Sequence, residues 1–147
     1  MRQPFSYYLL IFLVIFQAIS GLIGGTFLIA DTSGESLNMP LSMLHNTPFH
    51  SYLIPGLVLG VFLGLFPAFI AWGLISKARI AFTQKLNTHK TIHWAITFSL
   101  YLGIMLILWI DFQIMWIGYG HFIQSIYAFL GVAIVVMSLW PTHWKPQ

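Results

Sequence analysis

Charge is what this chain has least of. Its 147 residues carry six Lys or Arg and three Asp or Glu, 6% of the total, where a soluble domain carries about 25%. So few charges cannot solvate a globule of this length, and the outer surface is expected to meet lipid rather than water. Cysteine is absent altogether. That excludes disulfides, thiol redox chemistry and Cys-ligated metals, and with them the four-helix thiol oxidoreductases. Tandem repeats and low-complexity segments are also missing. The net charge of +3 does not point to nucleic acid, because the basic residues lie between and beside apolar runs instead of forming a patch. The length allows one domain, 1–147.

What fills the chain is apolar sequence, 59% of it. A spanning helix needs about 20 mostly apolar residues, because the hydrocarbon core is about 30 Å thick and each helical residue rises about 1.5 Å. Four runs meet that length: Phe5 to Ala30, Tyr52 to Ser76, Thr91 to Ile110 or Ile117, and Phe122 to Trp140. The predicted helices are 5–30, 52–76, 91–117 and 121–141. Gly118-Tyr119-Gly120 is a turn signal between the last two. The fold class is therefore all-α, a polytopic membrane protein built as a four-helix transmembrane bundle. Arg2 and Ala18-Ile19-Ser20 loosely fit a cleaved signal peptide, but the first run is long for that role.

The basic residues set the orientation. Lys77, Arg79, Lys85 and Lys90 fall in the connection between the second and third runs, with Arg2 before the first and Lys145 after the fourth. Four spans put all six on one side, with Asp31, Glu35 and Asp111 on the other. Three spans would scatter them. The positive-inside rule then places both termini and the middle connection in the cytoplasm. Tyr7, Tyr8, Trp72, Trp94, Trp140 and Trp144 mark the inner boundary, and Trp109 and Trp116 the outer one. In the first outer connection, Asn38-Met39-Pro40 followed by Leu41, Met43 and Leu44 predicts a short interfacial helix that Thr47-Pro48 stops.

Helices in lipid associate through close backbone approach and a few polar contacts. Gly56, Gly60 and Gly64 form one glycine stripe, and Gly21 and Gly25 another. Gln17 lies one turn before Gly21 on the same face, where it is expected to hydrogen-bond across to a neighbouring helix. Pro67 leaves the carbonyl of Leu63 without its usual donor, so a kink is expected there. The stripes read first as packing within one chain and second as a dimer interface. Gln124, Tyr127, Ala128 and Gly131 make a similar face on the fourth helix.

Chemistry, if present, is expected on the outer face. Asp31, Glu35, His45, His50, Asp111, Gln113, His121 and Gln124 collect there, a set of oxygen and imidazole groups suited to a metal or to proton exchange. Their spacing is weak: His45 and His50 are five apart and do not share a helix face. Asp111 stands out, because no Lys or Arg lies on its side and an ionisable residue near the membrane is costly without a partner. His121 is the first choice of partner, and plain exposure to water is the alternative. His89 and His93 read as interfacial residues. Bis-His haem ligation by His50 and His121 has only their shared side in its favour. A small multidrug transporter would need a titratable carboxylate in its first helix, where this chain has Gln17. No cofactor is expected.

Two stretches also carry a resemblance. Asp31-x-Ser33-Gly34, Met39-Pro40, Leu44, Thr47-Pro48-Phe49, Tyr52, Ile54-Pro55-Gly56 and Leu59, together with Met115-Trp116-Ile117-Gly118 and Gln124, resemble a family of small, mostly uncharacterised four-helix membrane proteins from bacteria. The resemblance implies a four-helix bundle in the plasma membrane and brings no activity or catalytic residue. The expected function is a non-enzymatic structural, accessory or small binding protein, whose partners are the lipid bilayer and a homo-oligomer or larger membrane complex. An oligomeric small-solute or ion transporter component is the second reading. A membrane enzyme or metal site at the outer cluster is the third.

Overall fold

The structure is a computed structural model, and it describes residues 4–35, 41–45, 47–88, 92–118 and 122–140. Every regular element among these residues is a helix, with no strand. Helix α1 covers Phe5–Ala30. Helix α2 covers Leu53–Gly60 and runs through a π turn, Val61–Leu65, into α3, Phe66–Ser76. Helix α5 covers Trp94–Ile117 and α6 covers Phe122–Ser138. Between α3 and α5 lies a short helix, α4, Ala81–Leu86.

Three of these rods, Phe5–Ala30, Leu53–Ser76 and Trp94–Trp116, are long and apolar enough to cross a membrane. Helix α6 is apolar but has 17 residues, a rise of about 26 Å. It stops before the expected end because Trp140 precedes Pro141, and a residue before proline is pushed out of the α region. The Ser138 hydroxyl turns back onto the carbonyl of Val135 at 2.8 Å. Helix α5 starts later than expected, at Trp94, because the His93 ring accepts from the Ala95 N–H and caps it. Residues 89–91 lie outside the described residues. Helix α4 was not anticipated from the sequence.

Helix α1 packs on the α2–π–α3 rod and on α6, and α5 packs on α3 and α6. The glycines decide how close these helices come. A Cβ on Gly25 would stand 2.5 Å from the Cα of Gly60, and one on Gly64 would stand 2.9 Å from the backbone nitrogen of Leu22. The two glycine stripes therefore face each other within the chain. Gly103 and Gly131 make a second close crossing, between α5 and α6, where a Cβ on Gly103 would sit 2.9 Å from the Gly131 carbonyl oxygen.

The break in the second rod joins these features. Pro67 has no N–H to give to the Leu63 carbonyl, and the chain widens into the π turn just before it, with the Phe66 N–H reaching back to Val61. The Leu63 carbonyl accepts instead from the side-chain amide of Gln17 on α1, at 2.9 Å. It lies directly over Gly21, where any Cβ would collide with it. Gln17 is 1% exposed. Its Nε2 is spent on this bond, and its Oε1 has no partner among the described residues. The core continues inward from here through Leu10, Val14, Ile70, Leu74, Trp94, Leu102 and Ile134.

Candidate functional site

Where α1 finishes, the chain leaves it through a local turn. The Asp31 carboxylate accepts from the backbone N–H and the hydroxyl of Ser33. The Tyr52 N–H donates to the Thr32 carbonyl at 2.9 Å, which ties the start of the second rod to the end of the first. Tyr52 is buried with Leu28 and Leu44 in a small separate cluster. The described part of the expected interfacial helix, Leu41–Leu44, is a single 3-10 turn; residues 36–40 lie outside the description. Thr47 closes the turn, its hydroxyl donating to the Leu44 carbonyl at 2.8 Å. Phe49 then meets Trp116 edge to face at 5.8 Å, and Trp116 stacks on Phe112 at 5.4 Å.

Each of the polar residues expected here has its own surroundings. His45 and His50 are exposed and line the same open hollow, with Leu41, Ser42, Leu44, Thr47 and Phe49, of about 370 Å³. Asp31 is engaged with Ser33. Glu35 and Asp111 are exposed, and Gln113 and Gln124 half-buried. The Gln124 amide donates to the Gly118 carbonyl at 3.3 Å. His121 lies outside the described residues. No group of three or more His, Asp or Glu able to hold a metal forms among the described residues.

The denser polar network is at the opposite end, and sequence reasoning passed over it. Lys77 ends α3 in the left-handed conformation, φ 56°, and turns the chain sharply. The Ala78 carbonyl then points into the protein and accepts two donors: Nε2 of His93 at 2.9 Å and Nε1 of Trp94 at 2.8 Å. Because Nδ1 of His93 already accepts from Ala95, the proton of the neutral ring sits on Nε2. Burial holds the His93 imidazole below its ordinary 6.5; the nearby Arg79 and Lys77 charges push the same way, against the backbone carbonyls that favour the charged ring.

Trp94 is fully buried. Its six-membered ring lies on Gly73, where a side chain would collide with it. It also stacks on Phe69 at 4.8 Å and meets Phe98 at 5.3 Å. The Tyr7 hydroxyl donates to the Leu74 carbonyl, and the Lys77 ammonium lies 5.6 Å above the Tyr7 ring. Asn87 donates to the Ile92 carbonyl at 2.8 Å, and the Tyr101 hydroxyl to the Leu86 carbonyl at 2.9 Å. The signal that could have found this end was Trp94 at a helix start: an indole ring with one polar tip needs a carbonyl to receive it.

No family model, curated protein or solved structure matches the chain.

Proposed function

We propose that the chain is a four-span helical bundle of a bacterial plasma membrane, with both termini and the 77–90 connection in the cytoplasm, acting as a non-enzymatic accessory or small binding subunit. It fits the small bacterial four-helix membrane proteins that its sequence resembles. One observation carries the membrane reading. Large apolar side chains stand outward along every long helix, including Phe12, Ile23, Leu65, Met115 and Phe129, while the described Lys and Arg are confined to 77–85. In water such a surface would aggregate; in lipid it is the required one. The accessory reading draws support from how the interior polar groups are used. Gln17, Tyr7, Asn87, His93 and Trp94 all bind backbone carbonyls and hold helices and turns together.

Reporter fusions test the topology. A cytoplasmic reporter should be active when fused within 77–90 or at the C-terminus, and a periplasmic one when inserted within 31–51. A periplasmic signal from 77–90 would overturn the orientation. Affinity purification in mild detergent tests the accessory role, which expects a stoichiometric membrane partner.

A transporter component is the second reading, and one observation favours it. A π turn, a proline and a buried amide with an unpartnered oxygen meet halfway along the bundle, and interrupted helices of this kind mark binding sites in transporters. That reading requires an oligomer. A strictly monomeric protein in lipid nanodiscs would count against it.

A further inference from the structure

The loop after α3 and helix α4 have a geometry that simple charge counting does not require. Lys77 reverses the chain, and the Ala78 carbonyl is fixed inward by His93 and Trp94. The side chains on either side of that anchored carbonyl, Lys77 and Arg79, are exposed. The chain then turns back along α3: Phe82 stacks on Phe69 at 6.2 Å, and Phe69 stacks on Trp72 at 5.9 Å. Phe69 lies seven residues before the end of α3, about 10 Å up the helix. Helix α4 thus lies against the lower part of α3 instead of projecting away from it. Thr83 faces inward and is buried. Phe82 and Leu86, one turn apart on one face, are 54% and 58% exposed, and Lys85 is exposed beside them.

A short helix with an outward apolar face and flanking cations suits the boundary between acyl chains and headgroups. The apolar side chains enter the acyl region, and the long basic side chains reach back to the phosphates. No Asp or Glu occurs in the chain between residues 36 and 110, so none from this connection competes for Lys77, Arg79 and Lys85. We propose that Lys77, Arg79 and Lys85 form a binding site for the headgroup of an anionic phospholipid of the inner leaflet, with Phe82 and Leu86 against its acyl chains. The anchored 77–80 turn presents two of the cations before the lipid arrives, so little ordering is lost on binding. This site rests on the membrane reading above.

The test is native mass spectrometry of the full chain, released from nanodiscs of equimolar phosphatidylglycerol and phosphatidylcholine. The wild type is expected to retain phosphatidylglycerol preferentially. A basic residue near an anionic surface contributes a factor of about five, so the Lys77→Gln/Arg79→Gln/Lys85→Gln variant should lose at least tenfold of that preference. Lys77→Arg/Lys85→Arg should keep it. If the triple variant does not fold, Arg79→Gln and Lys85→Gln singly should each lower the preference severalfold. Equal retention of both lipids by the wild type, or a preference the Gln variants do not alter, overturns the site while the membrane reading stands. A chain that stays dispersed without detergent overturns both.

Discussion

Gln17 and Pro67 are 50 positions apart in sequence, yet they act on the same atom, and a double-mutant cycle can measure this. The Leu63 carbonyl accepts from Gln17 because Pro67 cannot serve it. Replacing Gln17 by Leu keeps the volume and removes the bond. An interhelical hydrogen bond in lipid contributes about 0.6 kcal/mol on average and up to about 1.7. This one should lie above the mean, since Pro67 withholds the usual i+4 backbone donor from its acceptor. Part of the loss is returned, because Leu has no counterpart of the buried Oε1 that lacks a partner. A net cost of about 1 kcal/mol is expected. In a Pro67→Ala background the backbone regains an N–H four residues after Leu63, and Gln17→Leu should then cost less than half as much, a coupling of about 0.5–1 kcal/mol. The assay is unfolding in bicelles, by steric trapping or SDS titration, on all four members of the cycle. Additive costs would refute the shared-carbonyl reasoning.

Other perturbations separate the remaining contributions. Gly21→Ala should cost more than Gln17→Leu, about 2 kcal/mol or more in the same unfolding assay, because the new methyl meets backbone that cannot rotate away. Gly73→Ala should displace the Trp94 ring and weaken the near-ultraviolet circular dichroism by a readily measured amount, with the far-ultraviolet spectrum nearly unchanged. His93 should make stability depend on pH. Its folded pKa is held below the ordinary 6.5, so the folded chain binds fewer protons than the unfolded one. Stability should be fully present above about pH 6.5 and lost as pH falls from there towards the folded value; protonation also removes the acceptor that caps α5. Melting curves of wild type and His93→Asn across this window should converge at low pH. Asp111→Asn should change stability by no more than about 0.5 kcal/mol, as expected of an exposed polar side chain.

The sequence is a good guide wherever the physics is one-dimensional. The length of an apolar run gives a helix directly, so α1 has the bounds expected from its residues, and three long apolar helices follow. Residue identity was also enough to single out Leu63: a proline removes one particular donor, and a glutamine on a glycine face must place its amide somewhere. Other features depend on how distant segments meet. That Gly73 would seat Trp94, or that Gly103 would cross Gly131, follows from the relative rotation of α3, α5 and α6, which no single helix encodes. Helix α4 was hidden for a different reason. Six residues containing Lys85 and Thr83 are too short to carry a periodic pattern, and what holds them is a ring stack onto Phe69. Of the polar groups expected together with Asp111, the sequence says what each can bind but not what it meets: Gln124 turns to the Gly118 carbonyl.

The π turn has a further consequence for how this chain tolerates change in length. Gly56, Gly60 and Gly64 present their face to α1, whereas Gly73, on the same continuous rod, faces Trp94 of α5. One helix therefore serves two neighbours, and the wide turn between the two stretches sets the angle from one to the other. Each α-helical residue advances the face by about 100°. Deleting a single residue within 61–65 would swing the inner half of the rod through about that angle and carry Gly73 away from the indole, although every side chain lost or kept would be equally apolar. Gly64 apart, substitutions in this stretch should be tolerated far better than insertions or deletions: what is under constraint at the other positions is the count of residues more than their kind.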